Sequence, residues 1–164
     1  MGYCHSWKHK KAIPVNDWRD FTRFATSVFV SAALRGVPIA REYDRPYEPP
    51  EINKDEIIFN GIGDDGCETF VIERKPTPWA YPPGEELPAV TAIEKKEGVA
   101  CWCKTNRYPY DLICVALLCY LSWHHADCFE ISSNGGPDDW AGGFRLAQIL
   151  DPSPGGLVPA EVFA

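Results

Sequence analysis

The sequence predicts an α+β domain, a mixed or antiparallel sheet of about five strands packed by three helices, one of them central and buried. Three observations carry that expectation. The run from Leu112 to Trp123 is apolar on nearly every face, as in a helix enclosed by protein or membrane. It falls well short of the roughly 20 residues needed to span a bilayer, so a membrane segment is not expected. The elements follow the order strand, helix, hairpin, strand, helix, strand, helix, which suits helices covering one sheet.

Taken in order, Tyr3, His5, Trp7 and His9 alternate with Cys4, Ser6 and Lys8, the period of a strand with one aromatic face. Asn16 or Asp17 then caps a helix whose Trp18, Phe21, Ala25, Val28, Phe29 and Ala32 form one stripe, closed by Gly36 and Pro38. Residues 40–54 carry Pro46, Pro49 and Pro50 among charges and are expected to be a connecting loop. Residues 56–60 and 67–74 read as a hairpin around the glycine-rich turn 61–66. Residues 76–88, with Trp79 and Tyr81, read as an irregular proline-rich loop. Residues 99–104 form a strand that enters the central helix through Pro109 and Asp111, residue types suited to a first helical turn. Residues 129–133 form a short strand, and Asp138 or Asp139 caps a last helix, Trp140 to Leu150, weakened by Gly142 and Gly143. One domain is therefore expected over residues 1–150, with a Pro/Gly-rich tail over 151–164.

Composition narrows the function classes. At 164 residues, 45% apolar and 24% charged, the chain can build a proper core. A formal charge of −7 counts against coating duplex nucleic acid or an anionic membrane, though not against one small basic pocket. The first residues lack the apolar stretch of a secretion signal. Seven cysteines without any C-x-x-C pair read as reduced, mostly buried thiols of a cytoplasmic protein.

Several motifs fail on context. Gly61-x-Gly63-x-x-Gly66 has the letters of a dinucleotide fingerprint, but a strand follows it, and Asp64 and Asp65 would repel phosphate. His124, His125 and Cys128 match no zinc spacing, and adjacent histidines on a helix diverge by about 100°. No metal and no cofactor is therefore expected. No nucleophile elbow is present, and the paired carboxylates lie in turns.

The polar corner before the central helix is the strongest candidate site. Lys104, Thr105, Asn106 and Arg107 leave a strand where unpaired N–H groups and the helix dipole favour an anion, and arginine adds a planar fork. Tyr110 belongs to the same stretch. Ser132, Ser133 and Asn134 join it if the last strand pairs nearby, and Tyr3, His5 and Trp7 offer stacking surface. The competing expectation is that Thr105 or Asn106 is merely a cap, the cations are solvated and the aromatics are core.

Four phrases together resemble small, largely uncharacterised accessory proteins encoded by tailed bacteriophages. They are Gly2-Tyr3-x-His5-x-Trp7, Asn60-Gly61 followed by Glu68-Thr69-Phe70, Lys104-Thr105-x-Arg107-x-Pro109-Tyr110-Asp111, and Ser132-Ser133-x-Gly135 with Trp140 five residues later. Cys67 stands where a histidine would precede Glu-Thr-Phe, and Asn134 where an aspartate would precede Gly135. Any catalytic or metal-binding duty at those family positions would be lost here. The resemblance implies a viral accessory protein acting in the host cytoplasm.

The resulting expectation is a non-enzymatic protein that sequesters a small anionic, nucleotide-like ligand to counter host defence signalling. One alternative is a protein-binding inhibitor of a host defence factor, using its acidic surface and the loop around Trp79 and Tyr81. The other is a small nucleotide hydrolase using His5 with nearby acids.

Overall fold

The computed structural model describes residues 2–78, 96–152 and Val162. Trp79, Tyr81 and most of the tail expected over 151–164 lie outside the described residues. The fold is α+β. Its described elements are β1 (Cys4–His9), α1 (Val15–Leu34), β2 (Glu51–Ile52), β3 (Glu56–Phe59), β4 (Phe70–Glu73), β5 (Val99–Lys104), α2 (Asp111–His124), β6 (Phe129–Ser133) and α3 (Pro137–Leu150). Among the described residues, no helix is long and apolar enough to cross a membrane.

The described strands form two antiparallel sheets of three rather than one sheet of about five. The first has the order β5-β1-β6, and the second β2-β3-β4. β2 falls inside the stretch expected to be a connecting loop. Two residues are too few to show a period, and Pro49 and Pro50 directly before them read as breakers. An isolated bridge from Ala40 to Asn60 extends the same edge.

β1 is the centre of the first sheet, and its register places His5 between Cys103 and Ser133. Its burial alternates as the sequence pattern requires: His5, Trp7 and His9 face the core, while Cys4, Ser6 and Lys8 are more exposed. Trp7 packs on Phe70 at 5.3 Å between ring centroids, and Phe70 packs on Phe59 at 5.0 Å, so aromatic rings couple the two sheets. Burying such side chains contributes roughly 1.5–3 kcal/mol each.

α1 buries Trp18, Phe21, Phe24, Ala25, Val28 and Ala32. It ends in a Schellman arrangement: Gly36, at φ +76°, donates to the Ala33 carbonyl, and Val37 donates to the Ala32 carbonyl. The 61–66 segment is a turn with a short 3-10 stretch, Gly63–Asp65, and β4 follows it. α2 is buried from Ile113 to Leu121. Gly143 does more than weaken α3. A Cβ there would lie 2.6 Å from the Val115 Cβ, so the missing side chain lets α3 approach α2.

Candidate functional site at the mouth of the central helix

The residues between β5 and α2 make a tight corner over the start of β1. The N–H groups of Thr105 and Asn106 both donate to the Tyr3 carbonyl, at 3.1 and 3.2 Å. Asn106 and Arg107 then adopt left-handed backbone, with φ 52° and 61°. Asparagine tolerates that region, whereas arginine is uncommon there, and such positions cost on the order of 1–3 kcal/mol. The expected row of unpaired N–H groups does not survive. Asp111, Leu112 and Ile113 donate to the carbonyls of Tyr108, Pro109 and Tyr110, because the corner tightens into the helix.

Behind the corner lies a buried polar network. Asp111 Oδ1 accepts from the Thr105 hydroxyl at 2.6 Å and from His5 Nε2 at 2.7 Å. His5 Nδ1 lies 3.1 Å from Ser133 Oγ, which also accepts the Gly135 N–H at 3.1 Å. With Nε2 donating to the carboxylate, Nδ1 of a neutral ring is an acceptor, and the single Ser133 O–H faces both it and the Cys4 carbonyl, 3.4 Å away. The rings of Tyr3 and Trp140 stand edge-on to His5 at 4.9 and 5.4 Å.

Serine, histidine and aspartate here share the residue types of a hydrolytic triad, but the surroundings suit holding rather than reacting. His5 has no exposed surface, and both of its nitrogens are engaged. The N-terminus of α3, where an oxyanion would find donors, already presents the Gly136 N–H to Asp139 Oδ2 at 2.9 Å. The cysteines offer no ready thiolate in the core either. No disulfide forms among the described residues, and burial pushes the thiols of Cys119 and Cys128 up to about 12 and about 11.

Arg107 is the accessible member of the site. Its guanidinium lies 4.2 Å from the Tyr3 ring centroid. Nε donates to Asp139 Oδ1 at 2.7 Å, and Nη2 donates to Oδ2 at 3.3 Å. This fork, with the Gly136 N–H, holds the Asp139 carboxyl below the usual carboxylate range. The Tyr3 hydroxyl is buried and has no hydrogen-bond partner among the described residues. Burial drives its pKa upward, and Asp111 and Asp139 act in the same sense. Beside Arg107, a cavity of about 250 Å³ separates the first turns of α2 from α3, lined by Pro109, Asp111, Leu112, Asp139 and Gly142 among others.

The structure sorts the sequence candidates into five groups. His5 and Thr105 meet at Asp111 and Ser133 joins them through His5, while Arg107 stands apart on Tyr3 and Asp139. Lys104, Asn106 and Asn134 surround the chain around Gly2. The Lys104 N–H donates to Glu68 at 2.7 Å, Asn106 Nδ2 meets Cys67 Sγ at 3.4 Å, and Asn134 bonds both the Cys4 N–H and the Gly2 carbonyl. Tyr110 and Trp7 are core residues, Tyr110 donating to the Glu68 carbonyl at 2.8 Å, so neither provides stacking surface. Ser132 lies on the sheet's other face, 2.7 Å from Ser6.

Asp111 and Asp139 read in the sequence only as helix-start residues, and nothing in their spacing revealed their long-range partners. Among the described residues no group of three histidine, cysteine or acidic side chains is placed to hold a metal. Comparison with protein-family models, with curated proteins and with solved structures finds no match.

Proposed function

We propose that the chain is a binding protein that takes a small nucleotide-like anion on the outer edge of Arg107. The observation that carries this reading is the state of that side chain: clamped by Tyr3 and Asp139, set on left-handed backbone, and still 57% exposed. A guanidinium has five N–H donors, and two of them suffice for the Asp139 fork. The remaining donors suit a phosphate or carboxylate, with Asp139 positioning the group. Lys104, three residues earlier, adds a second cation at the corner.

Against turnover stands the complete burial of His5, which leaves the network no substrate-facing base. In the setting that the resemblance implies, a bacteriophage accessory protein, such binding would withdraw a nucleotide signal of host defence.

Native mass spectrometry of the full chain from host cells, with release of bound molecules on denaturation, tests the reading alongside titrations with ADP and a cyclic dinucleotide. Wild type is expected to release a nucleotide-sized anion. Arg107→Ala should bind at least about tenfold more weakly, since it removes charge-assisted hydrogen bonds. Its melting temperature should move little, because the Arg107 side of the lost ion pair is more than half exposed. A bare polypeptide mass, with no binding in either titration, would overturn the proposal.

A further inference from the structure

The cavity of about 250 Å³ that Arg107 borders runs between the first turns of α2 and α3. Drug-sized ligands fill roughly 300–1,000 Å³, so this space suits a single base with its phosphates left outside. Asp111, a residue only 8% exposed, forms part of its polar wall. Its carboxylate is loaded on one side. Oδ1 takes both the Thr105 hydroxyl and His5 Nε2, whereas Oδ2 takes no donor from the described residues. Those two bonds fix the carboxylate and leave the lone pairs of Oδ2 for a ligand. Asp139, the other acid of the cavity, is by contrast satisfied on both oxygens by Arg107 and the Gly136 N–H.

The second observation is Gly142. Its neighbour Gly143 is required by the approach of α3 to Val115. Gly142 is exposed, and among the described residues a Cβ there would meet only the flexible end of Leu112, at 3.3 Å. Only proline is a poorer helix former, so neither packing nor propensity accounts for glycine at this position. Its effect is to keep the cavity wall bare. A flat ring can then lie against the α3 backbone, with Leu112 and Val115 of α2 completing the apolar lining.

Given a phosphate on Arg107, as proposed above, we propose that this cavity holds the guanine base of the same nucleotide, with Asp111 Oδ2 accepting from N1–H and the 2-amino group. Guanine presents two adjacent donors on that edge, and a carboxylate has only acceptors. Adenine presents one donor beside the N1 lone pair, which the carboxylate repels. A site built to accept N–H donors rejects an analogue that lacks one.

Isothermal titrations of the full chain with GDP, IDP and ADP test this. GDP is expected to bind at least about tenfold more tightly than ADP. IDP, which keeps N1–H but lacks the 2-amino group, should fall between them. Gly142→Met puts a good helix former into the cavity wall, so it should weaken GDP at least about tenfold while melting no lower than wild type. Arg107→Ala should weaken all three ligands. Equal affinity for GDP and ADP, both lost in Arg107→Ala, would overturn the guanine assignment and leave the Arg107 reading standing. A GDP preference that survives Gly142→Met would place the base outside the cavity and overturn the proposal. Binding of none of the three would overturn both readings.

Discussion

Asp111 shows how one side chain can join elements far apart in the chain. It opens α2, yet its carboxylate takes donors from β1 and from the β5–α2 corner, and through His5 it reaches Ser133 at the end of β6. Each donor is satisfied, which is the condition under which a buried polar network rigidifies rather than destabilises. His9, two pleats along β1, is the contrasting case. It stacks on Phe129 at 4.3 Å, its Nε2 has no partner among the described residues, and burial lowers its pKa from the ordinary 6.5 to about 4. The neutral ring is thus favoured in the folded state. The unfolded chain binds the extra proton first, so stability is complete above pH 6.5 and is lost progressively as pH falls toward 4. Urea midpoints measured between pH 7 and 4.5 should fall, and His9→Phe should flatten that slope. An unchanged slope in the variant would exclude His9 as the cause.

Among the elements, α2 and α3 depend on a close approach that glycine permits. Gly143→Ala places its Cβ against Val115 and the Leu112 carbonyl, at 2.6 and 2.8 Å, where backbone must shift. The expected cost is about 1–3 kcal/mol, read as a lower urea midpoint with unchanged m-value. Helix propensity alone predicts the opposite sign, since alanine is the better helix former. The β5–α2 corner follows related logic. Thr105 and Asn106 bond to the Tyr3 carbonyl, and the chain turns through two left-handed residues to seat Arg107 over the Tyr3 ring.

On the scale of the whole molecule, one cluster of buried residues draws on both described sheets and on α1, α2 and α3. Phe70 sits at its junction, between Trp7 of one sheet and Phe59 of the other. Phe70→Ala is expected to cost about 3–5 kcal/mol. Tryptophan fluorescence and far-UV circular dichroism should report the same lowered transition, as one cooperative unit requires. Two separated transitions would show that the sheets unfold independently. The net charge of −7 is unevenly arranged. The Arg107 corner offers a cation beside a small cavity, while the cleft of α1 with the ends of α2 and α3 concentrates carboxylates.

The sequence by itself determined what depends on near neighbours. The alternation of β1, the apolar stripe of α1, the all-round apolar face of α2 and the glycine turn before β4 follow from local sterics and burial, whose periods are written along the chain. Only the tertiary structure decided how the strands divide into two sheets and which candidate residues meet. Strand partners are set by packing between distant segments, and a two-residue strand such as β2 has no period to read. The same reason separates the candidates. His5 and Ser133 are 128 residues apart and meet through pairing of β1 with β6, whereas Ser132, one position earlier, points to the other face. Arg107 and Asp139 meet across 32 residues because α3 docks on α2, a contact no local pattern encodes.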